Sequence, residues 1–407
     1  MTVSLPLGRL GYAAWSWLLP APNRCPCIAH ARARASDLWQ LLDQHFDTFR
    51  QVYDERYQAK YGFWRSIVQQ SVAAFLKCGD LQEGFARVRC PDCKHEMFVA
   101  FSCKQRCTCP SCHQKRTLLT ALHVAEEVCT PVAHRQVVLT IPKRLRVHTR
   151  FDRQLLGKLS SCAWTCLKVE ARRLLGRRPS LRDGARVVPG MIAAIQTHGE
   201  LLHWHPHIHV LITCGAWTPE GDFLELPEFD MERLLVAWQE AVFELYLAEE
   251  KVEPEVVENM RTWQHSGFSV NQSVFLPAGD QAGIERLIQY MTRCPFSLSR
   301  LVKVSDTRQI VYQAEKQACR AFPDPKGDGI RAGVKRNFQI LPPLDFLAPR
   351  LRQTGHTAPT IALLWCPAQG LALDSWAPTE GWSRLVLEQV AWGAEQGASR
   401  RIRRAIE

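Results

Sequence analysis

Leu202-His-Trp-His-Pro-His-Ile-His-Val-Leu-Ile212 places His203, His205, His207 and His209 at every second position of a stretch that ends Val-Leu-Ile. Residues two apart share one face of a strand, so the four imidazoles form a row. A lone histidine on an apolar strand usually packs or faces solvent, whereas several on one face point to metal or phosphate chemistry. Neutral imidazoles leave the charge of a divalent ion undiminished, so the ion can act as a Lewis acid on a phosphodiester oxygen. His207 and His209, separated by Ile208, suffice as a pair of adjacent ligands. A third ligand has to come from a neighbouring element. Gln196 on the preceding strand is the candidate, with His205 as an alternative ligand or a direct phosphate contact.

Outward from this strand, Val187 to Thr197 reads as its hairpin partner through a turn around Gly199. Arg135-Gln-Val-Val-Leu-Thr-Ile141 reads as a buried strand closed by Pro142, and Phe268 to Leu276 alternates like another. Helical patterns run from Phe151 to Leu175, from about Glu228 to Glu249 and from Gln281 to Arg293. The order strand, helix, strand, strand, helix, strand, helix predicts an α+β fold. Its sheet is antiparallel and split βαβ-like, with helices on one face. Upstream, Leu38, Leu41, Leu42 and Phe46 mark one face of a helical region from Ser36 to Leu76.

Between these parts lies a cysteine cluster. Of sixteen cysteines, six fall between Cys90 and Cys112, which reads as metal ligation in a reducing compartment rather than a disulfide framework. Cys90-Pro-Asp-Cys93 and Cys109-Pro-Ser-Cys112 are two knuckles 15 residues apart, a spacing able to present four thiolates to one Zn²⁺. Free buried cysteines explain neither the paired spacing nor the proline in each knuckle. Cys90, Cys93, Cys109 and Cys112 are therefore the expected ligands, with Cys103 and Cys107 as spares or partners for a second ion. A closed four-cysteine site leaves no open coordination position, so this zinc is structural.

The formal net charge of +11 suits a polyanionic partner, most simply nucleic acid. Lys115 and Arg116 beside the cysteines, and Lys143 and Arg144 after the first sheet strand, are the expected backbone contacts. No apolar run reaches the roughly 18 residues that a membrane span needs. The stretch from Leu10 to Leu19 could pass for a signal-peptide core but has only Arg9 close before it, so residues 1–35 read as a disordered leader.

Ile284, Leu287, Ile288 and Met291 follow the i, i+3, i+4, i+7 rule and anchor one helix face, with Tyr290 on its flank. Arg286 and Arg293 are its helical neighbours and can hold a phosphate beside the hydroxyl. A tyrosine that attacks phosphorus and stays attached has those needs. By itself, a surface tyrosine leaning on arginines is the commoner explanation.

Taken in order, several motifs resemble the HUH rolling-circle transposases of bacterial insertion sequences, specifically the IS-ninety-one family. They are Arg89-Cys-Pro-Asp-Cys93, Phe101-Ser-Cys-Lys104, Cys109-Pro-Ser-Cys-His-Gln-Lys-Arg116, Val137-Val-Leu-Thr-Ile-Pro-Lys-Arg-Leu145, His205-Pro-His-Ile-His209 and Tyr290-Met-Thr-Arg-Cys-Pro295. The resemblance implies a zinc ribbon-like module ahead of an HUH endonuclease domain that holds Mg²⁺ or Mn²⁺. His207 and His209 then bind that metal, and Tyr290 cleaves single-stranded DNA at the element ends through a 5′-phosphotyrosine. The setting implied is the bacterial cytoplasm, at the nucleoid, with no membrane partner and room for a homo-oligomer.

Two departures from that family stand out. Many members carry two catalytic tyrosines four positions apart; Tyr290 aligns with the second, and Arg286 stands where the first would be. From Pro349 onward the sequence loses the family's pattern, as a frameshift would produce. The domain reading is therefore a leader over 1–35, helices and zinc module over 36–125, the catalytic domain over 126–300, a basic family segment over 301–347 and a divergent tail over 348–407. Two other readings stay open: an inactive zinc-dependent DNA-binding remnant, and a histidine-triad nucleotide hydrolase, whose His-x-His-x-His pattern His205 to His209 also matches.

Overall fold

Met191-Ile-Ala-Ala-Ile-Gln-Thr-His198 is buried at every position, which requires a strand covered on both faces. The computed structural model describes residues 36–91, 93–176, 187–218, 221–304, 309–314, 320–321, 335–354 and 361–365, and it is an α+β structure built around that strand. In chain order come helices α1 (Asp37–Gln51) and α2 (Ser66–Leu76), the hairpin of β1 (Phe85–Arg89) and β2 (Glu96–Ala100), and helix α3 (Pro110–His123). Strand β3 (His134–Thr140), helix α4 (Gln154–Leu175), strands β4 (Met191–His198) and β5 (Trp204–Thr213), and helix α5 (Met231–Ala248) follow. Strand β6 (Ser269–Leu276) precedes helix α6 (Gln281–Met291). Strands β7 (Leu301–Val304), β8 (Ile310–Gln313) and β9 (Phe338–Leu341), helix α7 (Pro343–Leu351) and strand β10 (Ile361–Trp365) complete the elements that matter here.

Five strands form the central sheet in the order β10-β4-β5-β3-β6, and each neighbouring pair is antiparallel. One face carries Leu139, Ile195, Ile208 and Val210 against Leu159 and Leu167 of α4 and Trp238 and Phe243 of α5. The opposite face is covered too. There Ile192, Ala194, Leu211 and Leu276 meet Ile284, Leu287, Ile288 and Met291 of α6, together with Ala121 of α3 and Val124 and Val128 of the short π-helix that continues it. The expectation of helices on one face is corrected: β4 is apolar at both parities, and an apolar second face has to be removed from water.

A separate core joins the two ends of the described chain. Leu38, Leu42, Phe49 and Phe75 of α1, α2 and their surroundings pack with Phe296, Tyr312, Phe346 and Leu351. Tyr57 donates to Asp345 at 2.6 Å, and the Arg65 guanidinium donates to the carbonyls of Arg352 and Thr354 at 2.9 Å each. The N-terminal helices and the segment after residue 300, which the sequence separates, therefore share one hydrophobic core. Ala348, Leu351, Gln353 and Thr354 are buried, and β10 pairs with β4, so part of the expected divergent tail belongs to the folded body. The remainder of that tail and the expected leader over 1–35 lie outside the described residues. Among the described residues, no helix is long and apolar enough to cross a membrane.

Candidate active site and metal centre

The strand register sets the histidine face. Gln196 on β4 and Thr140 on β3 both lie opposite His207, while Ala194 and Val138 lie opposite His209. Successive rings follow one another along the strand in tilted and edge-on contact, with centroids 5.8 Å apart for His203–His205, 4.9 Å for His205–His207 and 4.8 Å for His207–His209. The next ring in the row is Tyr290, edge-on to His209 at 5.5 Å and 87°. Tyr290 is 81 residues beyond His209 in the chain and meets it through the packing of α6 on the sheet.

Each imidazole is prepared as a neutral donor of a lone pair. His207 Nδ1 donates to the His205 carbonyl at 2.7 Å, which leaves Nε2 to act as a ligand. The Gln136 side-chain amide lies 2.9 Å from His209 Nδ1. Gln136 Nε2 faces that nitrogen; rotating the amide to present its oxygen would keep the ring proton on Nδ1 and free His209 Nε2, which is buried without a partner, to bind a metal. Burial lowers His209 to about 2, with His207 and Arg293 adding repulsion. Burial likewise lowers His207 to about 4 and His205 to about 3. Gln196 donates through Nε2 to the carbonyls of Tyr290 at 3.0 Å and Met291 at 2.9 Å, and its Oε1 is buried without a partner. Two orphaned buried polar atoms, His209 Nε2 and Gln196 Oε1, beside His207 fit a hard divalent cation, because buried polar atoms otherwise find partners.

Helix α6 forms locally through Asp280, whose carboxylate accepts the Gly283 N–H at 2.8 Å. A Cβ at Gly283 would fall 2.1 Å from Asp280 Oδ2 and 2.8 Å from the Leu276 side chain, so a larger residue there would have to displace the capping carboxylate and the packing on β6. Ile284, Leu287, Ile288 and Met291 are buried, and Tyr290 stays 45% exposed at the edge. Arg293 lies over its ring at 4.6 Å and is itself held by Glu200 at 3.1 Å, which also binds Arg300 at 3.0 Å. Arg286, the other expected neighbour, is exposed on the preceding turn.

The cysteines assemble differently from their spacing. Cys78, Cys103, Cys109 and Cys112 have their sulfurs within 4.8 Å of one another, the only such metal-binding group among the described residues. Sγ separations of 3.8 Å for Cys78–Cys109, 3.7 Å for Cys78–Cys112 and 3.6 Å for Cys103–Cys112 match the edge of a tetrahedron with Zn–S bonds of about 2.3 Å. Hydrogen bonds from Cys103 and then Cys109 lower the Cys78 thiol to about 7. Cys109 caps α3 and Pro110 begins it, so the thiols of Cys109 and Cys112 stand at a helix N-terminus, which favours thiolate. The expected ligand set is therefore corrected in half. Cys90 and Cys93 sit at the turn of the β1–β2 hairpin, where Cys90 N–H donates to His95 and Lys94 N–H to Cys90, and the antiparallel ladder carries that turn away from the cluster. Cys107, also expected as a spare, is buried and its thiol is pushed up by burial.

Residues 48–141 match the family described as "Transposase zinc-binding domain", and residues 190–353 match the one described as "Putative transposase". A "Transposase for insertion sequence element IS801" from Pseudomonas savastanoi pv. phaseolicola is 31% identical over 181 residues, 44% of this chain and 40% of the relative. The two matches and this relative together support a transposase of the IS-ninety-one family with an N-terminal zinc-binding domain. A second relative, "Putative transposase y4qJ" of Sinorhizobium fredii (strain NBRC 101917 / NGR234), is 27% identical over 176 residues, 43% of this chain and 42% of that one. The chain thus spans less than half the length of the curated relatives it matches. No solved structure matches.

The four clustered cysteines fall inside the zinc-binding match, and Gln196, His207, His209 and Tyr290 fall inside the other. Lys115 is exposed and Arg116 half-buried on α3; Lys143 and Arg144 are exposed just beyond β3, with Arg144 6.0 Å from the Trp263 ring. Sequence reasoning missed Cys78, which belongs to no knuckle, and treated Cys103 as a spare. It also missed Gln136, His113, Thr117 and Glu200. Only the even spacing of Gln136 within its strand placed it on the histidine face, and that signal needs the strand register to be read.

Proposed function

We propose that this transposase cleaves and rejoins single-stranded DNA at insertion-sequence ends, with Tyr290 as nucleophile in an HUH-type endonuclease site. The observation that carries this reading is the edge-on approach of Tyr290 to His209 at 5.5 Å, on a helix whose last turn is hydrogen-bonded to Gln196 of the same sheet. The Tyr290 oxygen attacks a backbone phosphorus, and the bond from phosphorus to the 3′ oxygen breaks. A 5′-phosphotyrosine and a free 3′-OH result, with the phenol proton passing to solvent and a proton taken up by the departing oxygen. Rejoining is the same exchange in reverse.

His207 and His209, with Gln196 Oε1 as third donor, would hold Mg²⁺ or Mn²⁺, which supplies Lewis-acid polarisation of a phosphate oxygen. The other work belongs to the chain. Gln196 ties the tyrosine helix to the sheet, Gln136 orients His209, and Arg293 offers a guanidinium beside the ring. Exposed Lys143, Arg144, Lys115 and Arg286, with the half-buried Arg116, supply positive charge for the flanking DNA strand. Arg286 in place of a second tyrosine implies a cycle that reuses one nucleophile, and it leaves any homo-oligomer free to supply another. The cytoplasm, at the nucleoid, is the setting this activity requires.

Incubation with Mn²⁺ and labelled single-stranded oligonucleotides from the element ends tests the reading. A protein–DNA adduct that survives denaturation should form with the wild type and vanish in Tyr290→Phe. An adduct that persists in Tyr290→Phe would refute the assignment. No adduct from folded, zinc-loaded wild type would instead favour a DNA-binding remnant.

A further inference from the structure

The cysteine module and the tyrosine helix meet at one backbone atom, the carbonyl oxygen of Thr292, two residues beyond Tyr290. His113 Nε2 lies 2.8 Å from it and Thr117 Oγ1 3.1 Å. His113 Nδ1 accepts the Cys107 N–H at 3.0 Å, so its single ring proton sits on Nε2, the nitrogen that donates to Thr292. The ring is 3% exposed, and both nitrogens are engaged inside the protein. His113 follows Cys112 directly, on the first turn of a helix that begins at Cys109. Both of these cysteines belong to the four-thiol cluster.

The same helix forms the seat of α6. Ala121, and Val124 and Val128 beyond it, pack on Ile284, Leu287, Ile288 and Met291. From the other side Gln196 takes the carbonyls of Tyr290 and Met291. The last carbonyls of a helix have no partners within it, and here those next to Tyr290 are satisfied from two directions, by the sheet and by the cysteine module.

We propose that the cysteine cluster is a positioning device for the nucleophile as well as a structural staple. Metal held by Cys78, Cys103, Cys109 and Cys112 sets the start of α3, and His113 and Thr117 pass that position to Tyr290 through Thr292. Without the metal nothing ties the start of α3 to Cys78 and Cys103, and its first turn loses that anchor. A shift of about 1 Å at a reacting atom is enough to slow a reaction on the order of 10²-fold. The catalytic half of this inference rests on Tyr290 being the nucleophile; the mechanical half does not. A module that only grips DNA would change affinity and leave the chemical step alone.

The test uses the full chain, zinc-loaded, zinc-depleted by chelation, and as His113→Leu and His113→Gln. Hydrogen exchange over residues 281–293 is the readout independent of activity. Depletion and His113→Leu should each speed exchange there by roughly tenfold, with β3 unchanged. His113→Gln, whose amide can accept from Cys107 and donate to Thr292, should restore it. Changes confined to residues 78–112 would overturn the proposal. With Mn²⁺ and saturating single-stranded oligonucleotide, His113→Leu should keep its zinc and a Kd within about twofold but form adduct roughly tenfold more slowly. An unchanged rate, or equal losses in Kd and rate without rescue by glutamine, would also overturn it. If Tyr290→Phe keeps the adduct while exchange in α6 still follows zinc, the nucleophile assignment fails and the coupling stands.

Discussion

The histidine row and the cysteine cluster are built in opposite ways. Every histidine of the row stands on or just before one strand, so its alternation is enough to place the rings side by side. The four thiols come from separate pieces of chain: Cys78 beyond α2, Cys103 after the hairpin, and Cys109 and Cys112 at the start of α3. Spacing within one element is a geometric statement. Spacing across a loop is only a permission, because the loop decides which side chains arrive. Cys90 and Cys93 have the better spacing and the wrong place, since the ladder from Phe85–Ala100 to Arg89–Glu96 carries them to the far end of a hairpin.

The sharpest way to break that contrast is to mutate across it. Cys78→Ser should release the zinc and lower the thermal midpoint by roughly 10 °C or more, because a structural zinc contributes folding free energy directly. Cys90→Ser should retain one zinc per chain. Metal analysis with thermal melting decides, and a reversed pattern would restore the ligand set expected from spacing. On the histidine side, His207→Ala should reduce metal-dependent adduct formation by roughly 10³-fold while the fold and the zinc persist. A residual rate within tenfold of wild type would remove His207 from the ligand set.

Smaller effects probe the support of each ring. Gln136→Leu, which removes the partner of His209 Nδ1, should weaken the Mn²⁺ dependence of adduct formation by about 10- to 100-fold. Equal Mn²⁺ titrations of variant and wild type would deny Gln136 that role. The smallest expected effect is pH-dependent stability. His205, His207 and His209 are held at about 3, 4 and 2, below the ordinary value near 6.5, so below that value the unfolded chain binds more protons than the folded one. Their contribution is complete above pH 6.5 and is lost as pH falls toward the folded values. The decline should be on the order of 1 kcal/mol per histidine per pH unit in protein without added Mn²⁺. Denaturant titrations at pH 7 and pH 5 measure it, and replacing His205 with Asn should flatten the slope.

The boundaries of the tyrosine helix and of the histidine strand were legible because each pattern is local. Ile284, Leu287, Ile288 and Met291 announce a buried helix face, and Asp280 with Gly283 caps it. Gln196 was legible as a neighbour of His207 because a short turn forces the antiparallel pairing of β4 and β5. The second covered face of the sheet was written in Met191 to His198, where both parities are apolar, but the alternation of β6 drew attention to one face only.

By itself, then, the sequence determined the elements, the order of the sheet-forming segments, the histidine face, and the presence of a thiol metal site, because each depends on neighbours within a strand, a helix turn or a knuckle. Tertiary structure alone decided which cysteines meet, that residues before 80 and after 295 share a core, and that Thr292 is held by His113 and Thr117. Those contacts join residues far apart in the chain, and they exist because apolar faces on separate elements must be buried together, a requirement that local pattern states without naming the partner.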